Sequence, residues 1–380
     1  MPTSLVEKTF FPTWLEVVLI GENEPLRFHP SQVRQATAIE LPAEVVMRGK
    51  LVLLSLVVAF GTAMGQQCEV NRPIVFADYD WESARVHNRI AQFILEKGYG
   101  CKTDALPGTS IPLITGLGRG DIDVSMEIWY NLTRDVVTQL ETEGKIQRLG
   151  VTFPDAVQGW FVPTYVIKGD SQRGIRPMAP DLKSVFDLPK YKTLFRDPEE
   201  PSKGRFYNGV LGWFAERVNT KKLKAYGLEA HFTNFRPGTS DALVAAIASA
   251  YERGRPIVFY YWGPTWVLGK YDLTMLEEPS YDAETWNALI GQDNPSKATA
   301  FPMETVYNAV NTRLAREAPS VVEFLKKYRT SNALTSELLA YMEENRAKEE
   351  EVARHFLKTH PELWTAWVPA EVAERVKRAL

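Results

Sequence analysis

Residues 73–127 read PIVFADYDWESARVHNRIAQFILEKGYGCKTDALPGTSIPLITGLGRGDIDVSME, and this stretch decides the fold. Pro73–Ala77 is a short run of apolar, largely β-branched or aromatic residues, the pattern of a buried strand. From Ser83 to Lys97 the apolar residues Ala84, Val86, Ile90, Ala91, Ile94 and Leu95 fall at helical spacing, and Gly98 offers a C-cap. Lys102–Leu106 reads as a second strand, Pro112–Arg119 as a helix stopped by Gly120, and Ile122–Glu127 as a third strand. Strand–helix–strand–helix–strand implies an α/β fold whose sheet is mostly parallel and whose crossovers are right-handed. In open sheets of this kind ligands bind beyond the carboxyl ends of the strands.

The same alternation returns further along. Trp213–Tyr226 and Asp241–Arg253 read as helices, ended near Gly227 and Gly254, and Pro256–Tyr261 (PIVFYY) is another buried strand. After Tyr271 the pattern is mostly helical, with a charged run at Glu343–Lys358 that reads as a solvated helix face. The Glu371–Leu380 tail is expected to return to the first lobe. The expected organisation is a first lobe at 66–165, a second at 166–265, and a return to the first at 266–380, with the ligand cleft between the lobes.

Composition limits the function classes. The 380 residues are 45% hydrophobic and 24% charged, with a net charge of only −3, enough apolar material for two lobes. No basic stripe suited to nucleic acid is present. Five histidines, at positions 29, 87, 231, 355 and 360, form no metal-spaced cluster, and there is no GxSxG elbow or phosphate loop. The expectation is a protein without metal or cofactor that is not an enzyme.

Met47-Arg48-Gly49-Lys50 is a short basic start, Leu51–Phe60 (LVLLSLVVAF) is an apolar core, and Ala63 and Gly65 are small residues placed for cleavage before Gln66. This three-part pattern is a secretory signal over 47–65, too short for a membrane span. It makes residues 1–46 a non-native or unstructured extension. Cys68 has no lipobox before it, so the expected product is exported, soluble and periplasmic. The two cysteines, Cys68 and Cys101, each stand at the start of a strand with one helix between them. In an oxidising compartment that arrangement favours one disulfide; without export they would be two buried thiols.

The chain carries 10 tryptophans, and their positions are informative. Trp81 follows the first strand, Trp129 the third, and Trp262 the last strand of the second lobe. Trp213 opens a helix after a glycine-containing loop, and Trp160 lies near the first crossover. A quaternary ammonium has no N–H to donate, so aromatic faces are what can enclose it, each worth roughly 0.5–2 kcal/mol. If the solute also bears a carboxylate, the helix start at Trp213 offers the N–H groups of Phe214 and Ala215. Thr133 and Arg205 are candidate helpers. Glu127, beside Trp129, reads either as a counter-charge to the ammonium or as a hinge-positioning carboxylate. Asp78, Asp80 and Glu82 form a polar strand-end loop.

These segments together resemble the substrate-binding proteins of glycine betaine/proline betaine and choline ABC importers, over roughly residues 68–370. Val258–Val267 (VFYYWGPTWV) is similar to the family's aromatic strand ending in a cage tryptophan, here Trp262. Gly212–Glu216 with Ala225–Leu228 is similar to the segment bearing a second cage tryptophan and the carboxylate-binding amides. Gly120–Trp129 resembles the segment bearing a third. Ala156–Trp160 matches a stretch whose aromatic lines the site in some members, and Trp81 matches a tryptophan of choline-type members. The resemblance implies a two-lobed periplasmic-binding-protein fold that closes by hinge motion. It also implies a quaternary-ammonium ligand, with glycine betaine first and proline betaine, choline or carnitine as alternatives. ABC permease and ATPase subunits become the expected partners of a monomer.

Four positions depart from the family pattern. Gly209 and Ala215 stand where some members have a cysteine pair, Thr133 where some have a carboxylate-binding histidine, and Ser83 where choline-type members have an acidic residue. These weaken choline more than betaine and give Ser83 and Thr133 a part in discrimination. Rival readings are an enzyme acting on methylated amines, a sensor domain, or a binding protein for an amino-acid-like ligand. The last fits poorly, because a primary ammonium wants hydrogen-bond acceptors rather than aromatic walls.

Overall fold

A computed structural model describes residues 68–380; the extension at 1–46 and the signal at 47–65 lie outside the described residues. The first lobe begins with β1 (Ile74–Tyr79), α1 (Glu82–Gly98), β2 (Thr103–Gly108), α2 (Ser110–Arg119) and β3 (Val124–Trp129). β2 and β3 flank β1, both parallel to it, the arrangement that two right-handed crossovers require. α2 ends where Gly120 takes a left-handed conformation (φ 87°) and its N–H caps Gly116 and Leu117. Gly98 does something other than cap. It is the last residue of α1, and a Cβ there would sit 2.6 Å from Val372 and 2.9 Å from Val376, so glycine lets the C-terminal helix (Ala370–Ala379) pack directly on α1.

After α3 (Tyr130–Thr142), the 18-residue β4 (Ile146–Pro163) joins the lobes. Its first part pairs antiparallel with β9 (Glu304–Asn311) as far as Ala156↔Glu304. From Val157↔Gly263 onward it pairs antiparallel with β7 (Val258–Gly263). Asp155, directly before the change of partner, has φ 59°, a left-handed conformation that costs a non-glycine residue energy and bends the strand. In the second lobe β5 (Gly204–Tyr207) lies between β6 (Phe232–Phe235) and β7, parallel to both. α4 (Phe214–Ala225) and α5 (Ser240–Glu252) connect these strands. The strand order is β2-β1-β3-β9-β4-β7-β5-β6.

Two expectations change. Each half of the sheet is mixed rather than mostly parallel, because β4 and β9 run against their neighbours. The return to the first lobe also comes later than residue 266. β8 (Leu273–Met275) still pairs with Phe161–Pro163 of β4, Glu277 N–H donates to the carbonyl of Lys183, and only β9 rejoins the first sheet. The backbone donors of 273–277 are satisfied by the second lobe, which keeps that segment there. The charged run begins at the end of helix Asn332–Asn345 and continues on helix Glu349–Thr359, whose other face buries Val352, Ala353, Phe356 and Leu357. Two of its acids, Glu349 and Glu350, pair with Arg85 and Arg89 of α1.

Candidate functional site: an aromatic cleft between the lobes

The carboxyl ends of β1 and β3 from one lobe, and of β7 with the start of α4 from the other, meet around a cleft of about 450 Å³ including its mouth. Four tryptophans line it: Trp81, Trp129, Trp213 and Trp262, with Tyr79 and Tyr260. Their planes are set at angles to one another. Trp213 stands nearly perpendicular to Trp262 (5.1 Å between ring centres, 86°) and to Trp81 (5.8 Å, 81°). Trp81 stacks on Tyr79 at 4.4 Å. Perpendicular rings present faces in different directions, as enclosing a roughly spherical cation requires.

The indoles are held by carboxylates. Glu127 Oε2 accepts from Trp81 Nε1 at 2.8 Å and from Trp129 Nε1 at 3.0 Å, so one buried carboxyl orients two walls. Trp213 Nε1 donates to Asp80 Oδ1 at 2.7 Å across the cleft. Among the described residues, Glu127 is the only charged side chain that lines the cleft. Burial pushes its pKa up to about 7, against the pull of the two indole N–H groups and of the Ser83 hydroxyl beside it. Behind it, His87 Nε2 lies 3.9 Å from Glu127 Oε1. Burial lowers the His87 pKa to about 3, so at neutral pH this is a neutral imidazole and not an ion pair.

The other expected residues fall into two groups. Thr133, Phe214 and Ala215 line the cleft; the Thr133 hydroxyl donates to the Trp129 carbonyl at 2.9 Å, tying α3 to the strand end. Trp160, Arg205 and Ser83 do not line it. Trp160 is fully buried one strand repeat deeper, tilted against Phe206 at 4.2 Å and donating to Asn219 Oδ1 at 2.7 Å. Arg205 sits at the amino half of β5, away from the carboxyl ends that form the cleft, and makes a two-point contact with Asp197 at 2.8 and 3.2 Å. Ser83 is buried behind the cage.

Tyr79, Tyr260, Gln158, Ser110, Ile114 and Leu132 also line the cleft, and the sequence reading passes over them. Strand alternation signals two: Tyr260 shares a face with Trp262, and Gln158 shares one with Trp160. Ser110 comes from the opposite lobe to Phe214, whose N–H donates to its Oγ at 3.3 Å. Ile111 N–H also donates to the Gly212 carbonyl at 3.1 Å. The lobes therefore touch across the cleft mouth.

Comparison with known proteins agrees with this geometry. A family model described as the substrate binding domain of ABC-type glycine betaine transport systems matches residues 72–359. A trimethylamine N-oxide-binding protein of Pelagibacter ubique is 22% identical over 82% of this chain and 96% of its own length. The glycine betaine/proline betaine-binding periplasmic protein of Escherichia coli is 25% identical over 68% of this chain and 78% of its own. Among solved structures, the glycine betaine/L-proline-binding protein ProX of Borrelia burgdorferi superimposes with a TM-score of 0.65 at 19% identity, covering 80% of this chain and all of that one. A choline-binding protein in complex with choline gives 0.63 at 19% identity, covering 82% and 98%. At that identity the structural likeness speaks for the two-lobed fold.

Proposed function

This chain belongs to the family of substrate-binding domains of ABC-type glycine betaine transport systems, and from that premise we propose that it captures a trimethylammonium solute in the cage of Trp81, Trp129, Trp213 and Trp262. Glycine betaine is the first solute to test. The observation that carries the reading is the convergence of four indoles around a cleft that also holds the Glu127 carboxyl. A cation without N–H donors is matched by such walls, and Glu127 supplies a counter-charge. The first turn of α4 offers backbone N–H groups for a carboxylate, that of Ala215 directly and that of Phe214 in exchange for its bond to Ser110 Oγ. Trimethylamine N-oxide, the ligand in one relative's name, presents the same cationic head.

The family's description as a substrate binding domain supports binding rather than catalysis. Such a protein works as a monomer in the periplasm and delivers its solute to permease and ATPase subunits at the outer face of the inner membrane. The relatives named as periplasmic support that location, and among the described residues no helix is long and apolar enough to cross a membrane.

Titration calorimetry with glycine betaine, proline betaine, choline, carnitine and trimethylamine N-oxide tests the reading. At least one should bind well below millimolar, and Trp262→Ala should weaken that ligand by about tenfold or more. Failure of all five to bind, or a Trp262→Ala affinity within about twofold of wild type, would count against the cage.

A further inference from the structure

Two residues lining the cleft carry a buried polar atom with no partner among the described residues: Glu127 Oε1 and Gln158 Nε2. Glu127 Oε1 lies toward His87, in the interior. Gln158 is different. It is only 5% exposed, and its Oε1 accepts a 2.6 Å hydrogen bond from the Tyr260 hydroxyl. That bond fixes the amide plane and leaves both Nε2 hydrogens without an acceptor. A buried N–H without a partner is rare in proteins, and in a ligand cleft the missing acceptor is naturally a ligand atom.

Strand register gives the location. Gln158 is paired with Trp262, and Trp160 with Tyr260. Paired residues on antiparallel strands stand side by side on one face. The free amide therefore neighbours a cage indole, with the Tyr260 ring beside it on the cleft wall and Trp160 behind. It lies in a different element from the α4 amides and approaches the ligand from the second lobe's sheet.

We infer that Gln158 Nε2 donates a hydrogen bond to an acceptor oxygen of the bound solute, a carboxylate or N-oxide, and so selects methylated ammonium solutes that carry such an oxygen over those that do not. Tyr260 acts as the positioning residue that holds the amide donor-forward. This deepens the cage reading above and rests on it.

The test compares glycine betaine with tetramethylammonium, which keeps the cation and lacks the oxygen. Calorimetry on wild type, Gln158→Met, Gln158→Glu and Tyr260→Phe reads the ratio of the two affinities. Gln158→Met should lower the preference for glycine betaine about tenfold or more, as expected for losing a hydrogen bond to a charged acceptor. Gln158→Glu keeps the shape and turns the donor into an acceptor, so it should lower the preference further. Tyr260→Phe should lower it by a smaller factor, because the amide is freed and not removed. Equal losses for both ligands in the Gln158 variants would assign the residue to packing and overturn the inference. So would an unchanged ratio in Gln158→Glu, should the methionine variant fail to fold. A wild-type protein that binds neither ligand overturns the cage reading and this inference together, whereas wild-type binding with an unchanged ratio in the variants overturns this inference alone.

Discussion

Glu127 both orients indoles and brings a buried carboxyl to the cleft. Oε2 holds two indoles, and burial of the whole carboxyl raises its pKa to about 7. A cation entering the cage favours the ionised form, so binding releases a proton wherever the unliganded carboxyl is protonated. Affinity for glycine betaine should therefore rise with pH between about 5.5 and 7.5, by at most tenfold per unit, and level off above. Glu127→Gln, whose amide oxygen can still accept from the indoles, should give a flat profile, weaker than wild type by about tenfold at pH 8. Calorimetry across that range checks it; a wild-type profile as flat as the variant's removes Glu127 as counter-charge.

Stability alone would not isolate Glu127. Its raised pKa stabilises the unliganded fold below its ordinary value of 4.5, and that contribution is lost as pH rises through about 7. His87 works the other way: its lowered pKa means stability present above 6.5 is lost as pH falls toward about 3. At this scale Trp129 and Trp262 were readable because an aromatic at a strand's carboxyl end has few structural reasons to be there. Trp160 misled, since alternation along a strand tells the face a residue takes and not its depth. Gln158, two residues away on the same face, occupies the cleft instead.

Among the elements, β1 and β2 present opposite ends to opposite tasks. Their carboxyl ends lead toward the cleft, while their amino ends are joined by Cys68–Cys101, with Cα atoms 4.7 Å apart and a sequence separation of 33. Closing a loop of that length stabilises by about 3–4 kcal/mol in the chain-entropy account. Replacing both cysteines by serine should lower the denaturation midpoint accordingly while leaving glycine betaine affinity within about twofold, because the bond lies at the far end of the sheet. Chemical denaturation and calorimetry on the same variant check both halves. A large loss of affinity would mean that the disulfide shapes the cleft. β1, α1, α2 and β3 were legible from periodicity and glycine caps. The partner change within β4 was not, because an 18-residue strand looks the same in sequence whether it serves one sheet or two.

For the whole molecule, the closed arrangement depends on how nearly the lobes can approach. Gly212 has φ 99°, and a Cβ there would overlap the Thr109 side chain of the opposite lobe, hydroxyl first. A side chain would be strained by its own backbone and would wedge the lobes apart. Gly212→Val should keep glycine betaine from closing the protein. Small-angle scattering should show the wild type compacting at saturating ligand and the variant not, with affinity down by about tenfold or more. A variant that compacts normally would show that the mouth contact is dispensable.

What the sequence by itself determined is local: the α/β alternation, the helix stops at Gly120 and Gly254, the pair of strand-start cysteines, and the aromatics left at strand ends. Each follows from periodicity or backbone sterics within about a dozen residues. Tertiary structure alone decided which aromatics share a cavity, that one carboxyl orients the indole that follows β1 and the one that ends β3, that Arg205 serves Asp197, and that Gln158 keeps an unmatched donor. Those facts depend on register, depth and the meeting of two lobes. The residues concerned are brought together from positions as far apart as 79 and 262, a distance over which no local pattern carries information.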